Sequence, residues 1–397
     1  MKKALKILLK TLFGLVIVAL VVGAFYVFSI LPAKVDRETN WVEPHQTYLV
    51  SDAAKALHAD MRVADLHADT LLWKRDPVKR HKRGQTDFPR FRDGNVALQV
   101  FSTVTFVPAN MNATANAMEK DRMVLLSVAQ AWPVRTWNSI YERAVYQAER
   151  LHTAEKQAGG DFIIARTKTD LRDALKLRTL NRDIVVGVLA TEGAHPLEGK
   201  IENLDKLHDA GFRMIGLQHF FDNKLGGSLH GMDKGGLTPF GKQVVKKIVE
   251  KNMMIDVAHS SVSVVEDVLA LTDAPMVVSH TGILGVCNNP GRNIPDSLMQ
   301  KIADRGGLIG VGYWEMAVCD TSPDGIAKML IFGANKFGVE AIALGSDFDG
   351  AVTTRLDTSE LVALTDALLR QGMSEADIRK VMGENQINYF LKHLPDE

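Results

Sequence analysis

The chain has 397 residues, enough for one large domain or two ordinary ones, and its 46% hydrophobic content suits a packed core. Its 47 basic and 47 acidic residues give a formal net charge of zero. A general affinity for nucleic acid or for acidic surfaces therefore lacks electrostatic support, and we expect no nucleic-acid partner.

The N-terminus is predicted to be a membrane-spanning helix. Four lysines, the last of which is Lys10, precede a stretch from Thr11 to Ala33 without a charged residue. This stretch can cross the ~30 Å hydrocarbon core, and it is longer than the apolar segment of an ordinary signal peptide. We expect residues 1–36 to form an uncleaved anchor, with a cleaved signal or a buried helix as alternatives. The lysines favour a cytoplasmic N-terminus, which puts residues 37–397 on the periplasmic or extracellular side of a bacterial inner membrane.

The body alternates between short apolar runs and amphipathic stretches of helical period, a pattern that predicts βα repeats. Eight such runs favour an α/β fold of the (β/α)8 barrel kind over a doubly wound sheet. Residues 107–183, between the second and third strands, are predicted to be a mostly helical insertion that covers part of the barrel mouth. The predicted strands are Arg62–His67, Val96–Phe106, Ile184–Thr191, Met214–His219, Met253–His259, Pro275–His280, Leu308–Tyr313 and Ala341–Ser346.

Most of these apolar runs end in a histidine or an acidic residue. The carboxyl ends of parallel barrel strands meet at one mouth, where the active sites of such barrels lie. We therefore predict a metal site at this mouth. The residues in this position are His67, Asp69, Glu192, His219, His259, His280 and Asp347.

The residue types at these strand ends suit two zinc ions. Residues two apart on a strand share a side, so His67 and Asp69 are expected to face the same region. Imidazole and carboxylate both bind zinc, and Glu192 has two oxygens with which to bridge two ions. His259 and His280, which end successive strands, would complete the second ion. Two ions so placed can share a hydroxide and polarise a carbonyl together.

The other histidines lack this position after an apolar run. His195 follows Glu192 closely, and we expect it to support the site or to pack in a loop rather than to bind metal. We interpret the remainder as surface or helix residues: His45, His58, His81, His152, His208, His230 and His393.

The sequence has two cysteines, Cys287 and Cys319, and each follows a predicted strand. Zinc-finger ligation is not expected, because no second Cys or His lies at the usual spacing. Neighbouring barrel strands can bring the two thiols together, and an exported body permits oxidation. An intrachain disulfide and two buried thiols are the alternatives.

Together these motifs resemble those of the membrane (renal) dipeptidases, a family of zinc metallopeptidases with amidohydrolase-type barrels, in its bacterial form. The resemblance runs in family order from about residue 50 to the C-terminus. The matching segments are 65–70, 192–195, 216–219, 256–260, 279–281, 292–296 and 345–350.

The resemblance implies a role for each residue at the mouth. His67 and Asp69 would bind one zinc ion, and His259 and His280 would bind the other. Glu192 and a water or hydroxide would bridge the two ions.

The resemblance also implies how a substrate is held and cleaved. His219 would contact the substrate and stabilise its carbonyl oxygen as negative charge develops. Asp347 would manage the proton of the attacking water or bind the substrate amine. Arg292 would clamp the free C-terminal carboxylate of a dipeptide, with an ordinary surface arginine as the alternative.

The implied activity is hydrolysis of dipeptides with broad side-chain specificity, including dipeptides with a C-terminal D-residue. Family members are often dimers, so a homodimer is also implied. One alternative is a related binuclear barrel hydrolase acting on another amide or a lactone, although such enzymes usually show His-x-His where this chain has His67-x-Asp69. The other is a catalytically silent, membrane-tethered binding protein, which zinc binding without peptidase turnover would reveal.

Overall fold

A computed structural model describes residues 2–396, and its centre is a ring of parallel strands. Every strand pairing is parallel, as the βα repeats predict. The ring follows the order β1-β2-β4-β5-β6-β7-β8-β9, so the predicted (β/α)8 barrel is confirmed. The strands are β1 Val63–Ala68, β2 Val96–Phe101, β3 Phe162–Ile164, β4 Val185–Thr191, β5 Phe212–Gly216, β6 Met254–Asp256, β7 Met276–Thr281, β8 Leu308–Val311 and β9 Ile342–Leu344.

Strand β3 was not predicted from the sequence, and it lies outside the ring. It pairs with the first residues of β4, from Val185 to Gly187, while β5 pairs with the later residues of that strand. Its three residues lie in a segment that is otherwise mostly helical, so they offered no recognisable strand period.

The ring is nearly closed between its first and last strands. A single parallel bridge joins Ala68 to Phe348, beyond the end of β9. Beside it, the Asp65 carboxylate accepts hydrogen bonds from the Ser346 backbone N–H at 2.8 Å and from the Ser346 hydroxyl at 3.0 Å. The seam between β1 and β9 therefore depends on one buried carboxylate as well as on backbone pairing.

Helices surround the ring and cover its lower end. In α17 the Gln386 amide donates to Ala64 O, and the Tyr389 hydroxyl donates to Pro275 O, near the starts of β1 and β7. The other end of the barrel stays free for a site. The helices are α1 Lys2–Phe25, α2 Leu31–Thr39, α3 Asp52–Asp60, α4 Phe88–Asp93, α5 Arg122–Ala129, α6 Arg135–Asn138, α7 Ile140–Gln157, α8 Lys168–Arg178, α9 Glu202–Asp209, α10 Pro239–Glu250, α11 Val262–Leu271, α12 Asp296–Asp304, α13 Glu315–Val318, α14 Pro323–Phe337, α15 Val362–Arg370, α16 Glu375–Arg379 and α17 Asn385–His393.

The N-terminal helix is long and apolar. Helices α1 and α2 are joined through a π-helical turn at Tyr26–Ile30, which gives one helix from Lys2 to Thr39. Its most apolar window has a mean hydropathy of 2.7 and is fully exposed on the protein. By length and composition the helix is compatible with a single-pass membrane anchor and equally with a signal sequence.

Several strands end earlier than predicted because the backbone turns sharply after them. β6 ends at Asp256 and β9 at Leu344, and the residues His259 and Asp347 that follow have φ angles of 62° and 60°. These left-handed conformations interrupt a strand ladder and re-aim the side chains that come next.

Of the two alternatives for Cys287 and Cys319, the structure contains the disulfide. It joins the segment after β7 to the segment after β8, two neighbouring strands of the ring. The bond lies on the side of the barrel at which the strands end.

Candidate metal centre

The predicted strand-end residues come together at the mouth of the barrel. His67 lies near the end of β1 and His280 near the end of β7, while Glu192 directly follows β4. His219 and His259 each follow their strands by three residues. All of these side chains are buried, so the fold concentrates imidazoles and carboxylates away from the bulk solvent.

One carboxylate oxygen lies at the centre of the group. Glu192 Oε1 lies 3.2 Å from His259 Nε2, 3.5 Å from His219 Nε2, 3.5 Å from His280 Nε2 and 3.6 Å from His67 Nε2. Each imidazole turns the same nitrogen toward it. This convergence is typical of a site that holds a cation between nitrogen and oxygen donors.

The donor atoms form two overlapping groups that share Glu192. One group contains His67, Glu192, His280 and Asp347, and the other contains Glu192, His219 and His259. This division differs from the predicted pairing of His259 with His280, although their Nε2 atoms lie only 2.8 Å apart. A carboxylate that belongs to both groups is suited to the predicted bridging role.

Asp69 lies at the edge of this cluster. Its Oδ2 atom is 3.7 Å from His67 Nε2, and its Oδ1 atom is buried without a hydrogen-bond partner among the described residues. His67 Nε2 likewise has no hydrogen-bond partner in the described part of the chain. Buried polar atoms rarely stay unpaired, so Asp69 Oδ1 and His67 Nε2 are suited to bind a metal ion.

Two histidines are fixed in the tautomer that a metal ligand needs. The Ser279 hydroxyl donates to Asp256 Oδ2 at 2.6 Å and lies 2.9 Å from His280 Nδ1, so its oxygen is free to accept from that nitrogen. The proton of His280 then resides on Nδ1, and the Nε2 lone pair faces Glu192. A partner of this kind orients a metal-binding imidazole from behind.

His230 plays the same part for His259, and the sequence-based interpretation of His230 as a surface or helix residue is wrong. It is fully buried in the loop after β5. Its Nδ1 atom lies 2.9 Å from Ala113 O, which only accepts, so His230 carries its proton on Nδ1. Its Nε2 atom must therefore accept from His259 Nδ1–H, at 2.9 Å. This tautomer leaves the His259 Nε2 lone pair pointing at Glu192.

No periodic pattern marked His230, because it follows no apolar run in the sequence. The sequence does place it in a long Gly-rich loop, and in the structure this loop returns to His259, where the Leu229 backbone N–H donates to His259 O at 2.7 Å. His195 is buried too, with its ring centroid 4.4 Å from that of Phe221, which fits the expected loop packing.

Burial and charge set the protonation of the centre. Burial, together with the carboxylate of Asp69, raises the pKa of Glu192 well above its usual range. Burial also raises the pKa of Asp347 to about 7, against the opposing effect of His67. Burial lowers the pKa of His67, but the carboxylates of Asp69, Glu192 and Asp347 outweigh it and raise that pKa to about 10. The site is thus short of positive charge, which a cation would supply.

The remaining imidazoles are held neutral. Burial lowers the pKa values of His219, His259 and His280 well below the usual histidine value, and neighbouring cationic groups add to the effect. Neutral imidazole is the form that binds metal ions.

Arg292 is buried beside the centre, so the alternative of an ordinary surface arginine is wrong. Its Nη2 atom donates to His280 O at 2.5 Å, and its guanidinium lies 4.8 Å from the centroid of the Trp314 ring. Burial lowers the pKa of Arg292 to about 10, against the opposing effect of Asp347 and Glu192. It still carries its charge at neutral pH and is available to an anionic group.

A cavity of about 550 Å³ lies over the centre. Asp69, Glu192 and His219 supply polar groups to its lining. Most of the other lining side chains are apolar, among them Leu72, Trp73, Val104, Val107, Met123, Leu126 and Phe220. A small molecule held there would have its polar atoms at the donors and its apolar parts against this wall.

Comparisons with known proteins point to one family. The family model "Membrane dipeptidase (Peptidase family M19)" matches residues 51–392. The Dipeptidase verJ of Clonostachys rogersoniana is 27% identical over 246 residues, which is 60% of this chain and 62% of that relative's length.

Solved structures show the same fold. The dipeptidase AC, a metallopeptidase of family M19, is 25% identical with a TM-score of 0.69, over 85% of this chain and 99% of that one. A metallopeptidase from Rhodobacter sphaeroides was solved with a phosphinate mimic of the dipeptide L-Ala-D-Ala. It is 24% identical with a TM-score of 0.67, over 84% of this chain and 99% of that one. The family match over most of the chain, the barrel and the buried His, Glu and Asp cluster lead to one assignment: the chain belongs to the membrane dipeptidases, peptidase family M19.

Proposed function

We propose that this chain is a zinc-dependent dipeptidase that holds two Zn²⁺ ions at the barrel mouth. The observation that carries the proposal is the position of Glu192 Oε1 within 3.2–3.6 Å of four histidine Nε2 atoms. We assign His67 and Asp69 to one ion, His259 and His280 to the other, and Glu192 to both. When bound, such ions polarise a carbonyl and lower the pKa of water.

Three residues of the chain would handle the substrate. His219, buried at the cavity floor, would stabilise the carbonyl oxygen as it gains negative charge. Asp347, whose carboxyl pKa is raised to about 7 by burial, is suited to take a proton and pass it to the leaving amine near neutral pH. Arg292 would pair with the free C-terminal carboxylate, which limits the substrate to short peptides.

The cavity volume supports a small substrate. About 550 Å³ is within the range of small-molecule sites and has no room for a folded protein chain. We propose broad side-chain specificity, because the polar groups at the floor recognise the peptide unit and its terminus. The resemblance to membrane dipeptidases supports extending this range to dipeptides with a C-terminal D-residue.

We propose further that residues 1–36 are an uncleaved anchor, with the lysines in the cytoplasm and residues 37–397 outside. The exposed apolar helix from Lys2 supports this proposal, and the excess of lysines at its start supports the orientation. An intact mass measured on protein extracted from membranes tests it. A mass lacking the apolar stretch would identify a cleaved signal instead.

The activity is tested with the full chain in lipid nanodiscs. Release of free amino acids from L,L- and L,D-dipeptides is measured as purified, after chelation, and after zinc is restored. We expect turnover that requires zinc and falls by about 10²- to 10⁴-fold in Asp347→Asn, because a positioned acid–base group contributes on that order. The exposed Asp233→Asn variant is the matched control and should keep wild-type turnover.

Two outcomes would contradict the proposal. A protein that carries about two zinc ions but cleaves no dipeptide would redirect the search to other amides and lactones. Failure on those substrates as well would favour a membrane-tethered binding protein.

A further inference from the structure

The cavity over the metal centre has one wall that does not come from the barrel. Leu31, Pro32, Val35, Glu38 and Thr39, all on α2, line it together with barrel residues. This helix precedes residue 51, where the match to the family begins. Within the proposed anchor segment, the stretch from Thr11 to Ile30 already has the roughly 20 residues needed to span a membrane, so the turns from Leu31 onward can rest on the barrel outside it. These last turns of the N-terminal helix are an addition to the family's barrel that reaches its active-site cavity.

Charged and polar contacts fix this helix in place. The Asp36 carboxylate is buried and lies 3.1 Å from Arg75 Nε and 2.7 Å from Arg83 Nε. Arg75 in turn contacts Asp349, with Nη2 2.6 Å from Oδ2, in the loop that also carries Asp347. A buried carboxylate between two guanidiniums is geometrically well defined, so the helix end has a specific seat on the barrel.

The chain stays attached to the barrel beyond the helix. Asn40 Oδ1 accepts from the Ala351 backbone N–H at 2.9 Å, and Val42 forms a parallel bridge with Thr354. Ala351 itself lines the cavity. The helix wall and the loop after β9 thus share one set of contacts.

The helix and a buried apolar cluster of the barrel line the cavity together. Val35 packs against the buried cluster that contains Leu72, Trp73, Val104 and Met123. Side chains of this type recognise an apolar group by burial rather than by hydrogen bonding. A substrate side chain that packs in the cavity against both the helix and this cluster would be removed from water.

We propose that Leu31–Thr39 is a wall of the substrate pocket that selects dipeptides with large apolar side chains. The inference rests on the proposed dipeptidase activity and adds to it the part of the chain that sets side-chain preference. Val35 is a specificity-determining residue in this arrangement, because it is half-buried, apolar and part of the cavity lining.

The test compares two opposite changes at one position in the full chain, in nanodiscs. Val35→Ala enlarges the pocket, and Val35→Phe fills it. The measured quantity is kcat/KM for Leu-Leu divided by kcat/KM for Gly-Gly. We expect the ratio to fall about three- to tenfold in Val35→Ala, since lost methyl contacts in a pocket weaken binding on that order. Val35→Phe should also lower the ratio by excluding the larger substrate, and more strongly for Phe-Phe than for Leu-Leu.

The matched control is Arg37→Ala, on the same helix turn but exposed and outside the lining residues that the structure describes. It should keep the wild-type ratio. The changes at Val35 should appear in KM rather than in kcat, because side-chain burial is shared by the bound substrate and the transition state.

Ratios within twofold of wild type in both Val35 variants would overturn the inference, as would a purified active enzyme whose mass shows that Leu31–Thr39 is missing. Both results require an active wild-type enzyme. A wild-type chain that cleaves no dipeptide would instead contradict the proposed function, so the two failures are distinguishable.

Discussion

A carboxylate surrounded by four imidazole nitrogens and sealed from water is costly to leave charged and alone. Burial accordingly raises the pKa of Glu192 well above the usual range, and the nearby Asp69 adds to the effect. In the absence of a cation the group is stabilised by a proton. A metal ion has to displace this proton in order to bind, so metal affinity should fall as the pH falls.

The orientation of His259 is the first feature we would test at this scale. Replacing His230 with Phe keeps the stacking on Phe220, whose ring centroid lies 4.5 Å away, but removes the acceptor for His259 Nδ1–H. We expect zinc affinity to fall about 10- to 100-fold, the usual effect of losing a partner behind a ligand. Competition with a fluorescent chelator measures it.

His230→Gln, which retains a polar side chain, should recover part of that loss. His393→Gln, on α17 at the far end of the barrel, is the control and should bind zinc like wild type. An unchanged affinity in His230→Phe would mean that His259 is oriented by other contacts.

At the level of the elements, the apolar runs predicted eight strands of the ring correctly but not where they end. β2 stops at Phe101 rather than at Phe106, and β6 stops at Asp256. Hydrophobicity continues beyond these points because the residues are buried in the mouth, where regular pairing gives way to isolated bridges such as that between Val104 and Glu192. Left-handed residues at His259, Asp347 and Asp349 follow β6 and β9, and single-residue φ angles leave no periodic trace in a sequence.

The same reasoning explains which site residues the sequence identified. His67 and Glu192 stand directly at strand ends, so the strand pattern located them. His230 comes from a loop that returns to the mouth, and only the folded backbone brings it to His259. Local pattern thus predicted the residues facing the cavity and missed one that supports them from behind.

Helix α3 is held to the barrel by a histidine that should make stability depend on pH. His58 Nδ1 lies 2.8 Å from the Thr365 hydroxyl, and Nε2 lies 3.1 Å from Gly94 O. Burial lowers the pKa of His58 to about 4, so the folded state keeps it neutral. The unfolded chain, with a pKa near 6.5, takes up a proton first. Stability is therefore fully present above pH 6.5 and is lost as pH falls toward 4, by about 3 kcal/mol.

Urea unfolding of wild type and His58→Gln at pH 7 and pH 5 measures this dependence. The difference in unfolding free energy between the two pH values should be smaller in the variant. His45→Gln, at an exposed position, controls for the substitution itself. Equal differences in wild type and His58→Gln would rule out His58 as the source.

The disulfide ties together the segments after β7 and β8, close to Arg292. Its cysteines are 32 residues apart, and closing a loop of that size stabilises a fold by about 3–4 kcal/mol in the chain-entropy model. We expect Cys287→Ser with Cys319→Ser to lower the free energy of unfolding by that amount. Reductant should destabilise wild type but leave the double variant unchanged. If reductant destabilised both proteins, its effect would not come from this disulfide.

For the whole molecule, the metal centre draws residues from both sides of the barrel's seam. The proposed ligand His67 belongs to β1, whereas the proposed ligand His280 belongs to β7, on the β9 side of the seam, and β1 and β9 share little backbone pairing. A bound ion would therefore cross-link the two sides of the seam between β1 and β9. A ligand present at about 1,000 times its Kd stabilises the native state by about 4 kcal/mol.

Thermal unfolding with and without a chelator tests whether the bound metal stabilises the seam. Stripping the metal should lower Tm, zinc should restore it, and hydrogen exchange should rise most in β1 and β9. Glu192→Gln should bind metal poorly and lose most of the response to zinc. An unchanged Tm in protein shown to be metal-free would mean that the ring closes without help from the ion.

The helix that forms a cavity wall also determines what would follow if the proposed membrane anchor were cut. A protease that cut the chain after Thr39 would set the barrel free, but it would carry away Asp36 and leave Arg75 with fewer partners in a buried place. It would also open the pocket on the side of Val35. Shedding would then change location and substrate choice in a single step, and the released form would be a different enzyme rather than a soluble copy of the anchored one.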